Sequence, residues 1–193
     1  VLVASRTQDN PLTYFGEGVV NLNKLSVVLI VVIVFVWLLI ISFGASIFEA
    51  FIIYPNIFYD VPTSLETSVE FMAIYEPIDF FPPLGLVTLL IGIIVSILTW
   101  KLKFATYWLI GSPIIILVGE LLFSATFFWP KNTIMFSEGI TLHSVENLRV
   151  TAQDFQTGQL LRLSMNGVAA IMSFIGMLNF HRAILAKNQL DAK

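Results

Sequence analysis

Glu120 is the residue best placed to do chemistry, because it lies about nine residues inside an apolar run that ends at Trp129. At 1.5 Å per helical residue that is roughly 14 Å below the end of the run. A carboxylate at such a depth in hydrocarbon is costly, so it is expected to face other helices, to have a partner, and to be a candidate for proton transfer. Arg162 and Asn166 stand one turn apart on another apolar run, on one face by the i, i+4 relation. If the two runs are antiparallel, Asn166 falls level with Glu120, and Arg162 reaches down to it or snorkels away from it. Glu120 and Arg162 are therefore the candidate catalytic pair, with Glu120 as base or proton relay. Glu49, Asn56, Asn132 and Asn166 are candidate ligand-binding polar groups, and Phe123 and Phe127 are candidate aromatic walls. Aromatic walls with a few polar groups suit a flat, lipophilic ligand. The same residues would also serve as a buried ion pair with asparagines capping or bridging helices, or as a contact surface for another protein.

The elements that must position these groups are four apolar stretches, over about 25–47, 83–100, 104–129 and 160–180. A hydrocarbon core about 30 Å thick takes about 20 helical residues to cross. Hydrophobic residues make up 57% of the chain and charged residues 12%. Soluble domains carry about 25% charged residues, so the composition points to an all-α integral membrane protein. The fold expected is a four-transmembrane-helix bundle forming a single membrane domain over 1–193, with an acidic outer loop over 48–82 and a second outer loop over 130–159. The partners expected are the lipid bilayer, a lipophilic small molecule, and either other subunits of a membrane complex or further copies of this chain.

Charge fixes an expected orientation. From Glu49 to Asp79 the chain carries Glu49, Asp60, Glu66, Glu70, Glu76 and Asp79 with no Lys or Arg between them. Lys24, Lys101, Lys103, Arg182, Lys187 and Lys193 fall at the opposite helix ends. The positive-inside rule then predicts cytoplasmic N- and C-termini, in a bacterial inner membrane. The first apolar run is far longer than the h-region of a cleaved signal, so it reads as a span. It also outruns the bilayer, since Leu25 to Tyr54 covers about 45 Å. Residues 64–75, with Leu65, Val69, Met72 and Tyr75 at spacings of three and four, suit an amphipathic surface helix, the alternative being a polar loop folded over the bundle.

Several chemistries are excluded. With no cysteine there is no thiolate zinc site, iron–sulfur cluster or thiol redox pair. His143 and His181 fall at opposite faces of the expected topology, so neither a metal centre nor any other cofactor is predicted. The net charge of −3 gives no sign of nucleic-acid binding.

Two further patterns bear on origin. Phe48, Ala50, Tyr54, Pro55 and Asn56 at the end of the first run align on proline with Phe123, Ala125, Trp129, Pro130 and Asn132 at the end of the third. A duplicated helical hairpin would produce this, as would independent placing of aromatics and proline at helix ends. The arrangement Gly44, Glu49, Pro55, Asn56, together with Pro130, Asn132 and a loop of some thirty residues before helix four, resembles the anthrone oxygenase-like small membrane proteins. In that family helix four opens with a tryptophan, an asparagine one turn on and an arginine one turn later. Here those positions hold Arg162, Asn166 and Ala169, so only the asparagine agrees. The resemblance implies a four-helix membrane bundle and, as in a few fungal members, a cofactor-independent oxygenase or other oxidoreductase acting on an anthrone or quinone-like substrate. The alternative is a non-enzymatic accessory subunit of a larger membrane complex.

Overall fold

The computed structural model describes residues 22–101 and 103–191, which form five helical elements. Helix α1, residues 22–57, is α-helical over Leu22–Phe48, π-helical over Glu49–Ile53 and α-helical again over Tyr54–Ile57. Short α2 covers Thr63–Phe71 and α3 covers Pro77–Thr99. Helix α4, residues 103–142, alternates α and π geometry, with π segments at Leu117–Leu122, Ser124–Phe128 and Thr133–Glu138. Helix α5 runs from Val145 to Asp191.

Local chemistry sets the ends. Glu76 caps α3 in a reciprocal box with Asp79, whose Oδ2 accepts from the Glu76 backbone N–H at 2.9 Å, and Pro77 sits where a missing N–H costs nothing. Ser144 Oγ accepts from the Asn147 backbone N–H at 3.2 Å at the start of α5. Near the end of α4, Gly139 has φ +53° and ψ −149°, a conformation that only glycine adopts readily.

Four helices are long and apolar enough to cross a membrane: Leu25–Ile57, Pro77–Thr99, Ala105–Leu142 and Val145–Ala186. The chain is thus a multi-pass membrane protein built as a four-helix bundle. Helix α5 packs on α4 and α1, and α3 packs on the same two helices from the other side. Buried Val32, Phe35, Leu39, Val95, Leu109, Ala169 and Phe180 fill the interior. The outward surface is apolar as well, with Ile30, Trp37, Ile97 and Ile171 exposed, as expected where lipid is the solvent.

The expected outer loops are largely helical. At 1.5 Å per residue the 23 residues of α3 match a bilayer, whereas the spans of 33, 38 and 42 residues in α1, α4 and α5 exceed it by some 20–30 Å. The excess lies at one end of the bundle. There the C-terminal parts of α1 and α4, the N-terminal part of α5, and α2 close around a second core of Tyr54, Ile57, Val61, Leu65, Phe128, Met135, Leu148 and Phe155. The segment expected as an outer loop over 130–159 is the tip of an α4–α5 hairpin, with its turn at His143 and Ser144. That expected over 48–82 is the end of α1, α2 and the start of α3.

Helix α2 begins one residue before the predicted surface helix and ends four residues earlier, but its buried side differs. Ser64, Leu65 and Ser68 are buried, while Val69 and Tyr75 are exposed. The helix is folded onto the head by Leu65, and Arg149 Nε donates to the Val61 carbonyl at 3.3 Å.

Candidate functional site

Buried positions of α5 recur at a spacing of three and four from Leu148 through Ala152, Phe155, Gln159, Arg162, Asn166 and Ala169 to Ser173, with Thr151, Gly158, Gly167 and Ala170 buried beside them. This 3.5-residue repeat is the seam of a left-handed helix bundle. At its middle three polar residues replace apolar ones: Gln159, Arg162 and Asn166 are 1%, 8% and 1% exposed. Such groups require partners on the facing helices.

Those of Arg162, and one of the two of Asn166, come from π-helical turns, whereas both amide atoms of Gln159 are buried without a hydrogen-bond partner. Glu49 opens the π segment of α1, Glu120 lies in the first π segment of α4, and Ser124 opens the next. The first and last of these turns start six residues before a proline, Pro55 and Pro130 respectively. A proline has no N–H for the carbonyl four residues earlier, and widening the turn redistributes the bonds around that gap. The two proline motifs thus share a local geometry, which a common physical cause explains with or without duplication.

Glu49 is 5% exposed. Its Oε1 accepts from the Tyr54 hydroxyl at 3.0 Å and its Oε2 lies 3.6 Å from Arg162 Nη2. The Arg162 guanidinium also donates through Nη1 to Ser124 Oγ at 3.3 Å and lies over the Phe128 ring, 4.2 Å from its centre. Asn166 Nδ2 donates to Glu120 Oε1 and, at 3.2 Å, to Ser46 Oγ. Asn166 therefore bridges α1 and α4 from α5.

Glu120 and Asn166 stand together, as the depth argument predicts. The ion pair of Arg162 is with Glu49, not with Glu120. Phe128, in place of its expected neighbours Phe123 and Phe127, faces the site; those two pack into the head core and on each other. Asn56 is exposed and donates to its own helix at the Ile52 carbonyl, away from the site, whereas Asn132 lines the cavity. Tyr54, Ser46, Ser124 and Gln159 were not singled out by the sequence reading.

The residues surround a cavity of about 130 Å³. Glu49, Tyr54, Arg162, Glu120 and Asn132 supply polar groups, and Phe128, Trp129 and Phe155 supply aromatic rings. The wall formed by α3 is apolar, running from Pro77 through Phe81 and Gly85 to Leu89. Those are the head-side turns of α3, so the cavity occupies the head-side half of the bundle. Arg162 Nε and Asn166 Oδ1 are buried without hydrogen-bond partners, as is Glu49 Oε2 apart from its ion pair. Among the described residues no cluster of three His, Cys, Asp or Glu has the geometry of a metal site.

No protein-family model, no curated protein and no solved structure matches this chain. The resemblance to the anthrone oxygenase-like proteins accordingly stands on the quoted residues alone.

Proposed function

We propose that this protein binds a flat, lipophilic small molecule, polar at one end, in the cavity between α1, α3, α4 and α5. The observation that carries the reading is the division of the cavity: a polar floor of carboxylates and a guanidinium on one side, and an apolar wall of α3 on the other. Arg162 lines the cavity, and its buried Nε, which has no hydrogen-bond partner, is a group a ligand would satisfy. A cavity of about 130 Å³ has room for one quinone-like ring against the aromatic lining, and a three-ring molecule would project from it. Where the bound molecule carries an acidic C–H, as an anthrone does, Glu120 would be the base only in its ionised form, and dioxygen is the oxidant that would complete the reaction to an anthraquinone and water.

The acidic charges of the head, against the basic residues at the far ends of α3 and α5, support a reading in which the head faces outward from a bacterial inner membrane and both termini are cytoplasmic.

The test is to plug the cavity without touching its charges. Gly85 lines it, and a side chain added there meets nothing within 4 Å of its Cβ. Purified protein should bind anthrone saturably, and Gly85→Phe should lower the affinity at least tenfold while keeping a monodisperse, helical protein. Equal binding by the plugged variant, or no saturable binding by the wild type, would overturn the reading.

A further inference from the structure

The charges that line the cavity do not balance. From α1 come Glu49 and the neutral Tyr54, from α4 Glu120, from α5 Arg162, and from α3 no titratable side chain. Two carboxylates face one guanidinium. Arg162 is engaged by Glu49 at 3.6 Å, by Ser124 and by the face of Phe128, and Glu120 has only the amide of Asn166 as a direct hydrogen-bond partner. Of the other cations of the head, Lys131 is paired with Asp154 at 3.6 Å and lies over Phe127, and Arg149 donates to the Val61 carbonyl; neither is in the lining.

A buried carboxylate without a counter-charge is not left bare. It holds a proton, or it is neutralised by a cation. The surroundings of this surplus charge are apolar and aromatic, with Tyr54, Phe81, Trp129 and Phe155 in the lining. Aromatic faces attract organic cations and offer nothing to an anion, and the apolar α3 wall would strip an inorganic ion of its water. Resting on the reading that the cavity takes a flat lipophile, we infer that its ligand is an organic cation: an aromatic ring system bearing a protonated or quaternary nitrogen, bound beside Glu120 in exchange for one proton. The exchange conserves charge, since the proton that neutralised the empty site leaves to solvent as the cation enters. It also narrows the ligand class, because an anion of the same shape would add a second uncompensated negative charge.

Three flat tricyclic probes of nearly equal size separate charge from shape: N-methylacridinium, neutral anthraquinone and anthracene-9-carboxylate. Thermal shifts of the detergent-purified protein should rank the cation at least tenfold tighter than the neutral probe, with the anion weakest. Binding of N-methylacridinium in weak buffer should release close to one proton per site. Glu120→Gln should abolish the preference for the cation and the proton release. If anthraquinone binds in a Gly85-dependent manner but the cation is no tighter, or no proton leaves, the cation assignment falls and the binding reading stands. If no probe binds in a Gly85-dependent manner, both fall. Should Glu120→Gln fail to fold, the wild-type ranking and proton count decide alone.

Discussion

Arg162 is where the energetics of the site concentrate. Its charge is compensated at closest range by Glu49, and both side chains are almost fully buried, at 10% and 6% exposure. Removing one partner of a buried pair strands the other, which costs about 3–5 kcal/mol, whereas removing both is far milder. Arg162→Leu should therefore lower the midpoint of unfolding in detergent by that order. Adding Glu49→Gln should recover at least half of the loss, and Glu120→Gln in the same background should recover less. A double-mutant cycle in which Glu120 couples to Arg162 more strongly than Glu49 does would contradict the geometry. The meeting of Glu120 with Asn166 was legible because both positions can be read as depths in antiparallel helices. The partner of Arg162 was not, because depth says nothing of azimuth, and π turns at Glu49, Glu120 and Ser124 rotate the faces that follow them. The same rotation puts Phe128, and not Phe127, against the site. Ser124 was within reach of the relation that paired Arg162 with Asn166, since it stands four residues beyond Glu120.

Among the elements, the helices were legible where they are apolar and hidden where they are not. Hydropathy locates the four spans but cannot follow α1, α4 and α5 into the head, where buried positions are fewer and polar faces interrupt them. The spacing of α5 was the available signal, since the seam from Leu148 to Ser173 runs unbroken through both environments. The closest approaches between spans occur at glycines. A Cβ at Gly92 would stand 2.8 Å from Pro113 Cβ and 2.9 Å from the Phe35 ring, both held by packed helices. A Cβ at Gly111 would meet only the flexible end of Met172, at 2.4 Å. Gly92→Ala should accordingly destabilise the bundle by about 1–3 kcal/mol, and Gly111→Ala should be close to neutral as the methionine swings aside. Melting curves of the two variants side by side check the contrast; equal losses would mean that α1, α3 and α4 do not meet as closely as described.

For the whole molecule, the long and short helices together define a body with two ends of unlike character. The head is formed by chain carrying Asp60, Glu66, Glu70, Glu76, Asp79, Glu138, Glu146 and Asp154 against Lys131 and Arg149, while Lys101, Lys103, Arg182 and Lys187 gather at the other end. Basic residues in short flanks are retained on the cytoplasmic side, whereas acidic ones exert little hold, which is the ground for proposing the head as the translocated end. In that proposed orientation the cavity would open in the outer leaflet, behind the first turns of α3, and its polar floor lies between the head core and the closely packed half of the bundle. A ligand would arrive from the outer leaflet or the outer aqueous face without crossing the tightly packed half. The sequence contains no cysteine, so single introduced thiols report sidedness without background. Glu66 and Arg182 are both exposed, at opposite ends. In intact cells with the outer membrane made permeable, Glu66→Cys should react with a membrane-impermeant maleimide, and Arg182→Cys should react only after the inner membrane is opened. The reverse pattern would invert the molecule and put the mouth of the cavity in the cytoplasmic leaflet, leaving the geometry of the site intact and changing the side from which its ligand is taken.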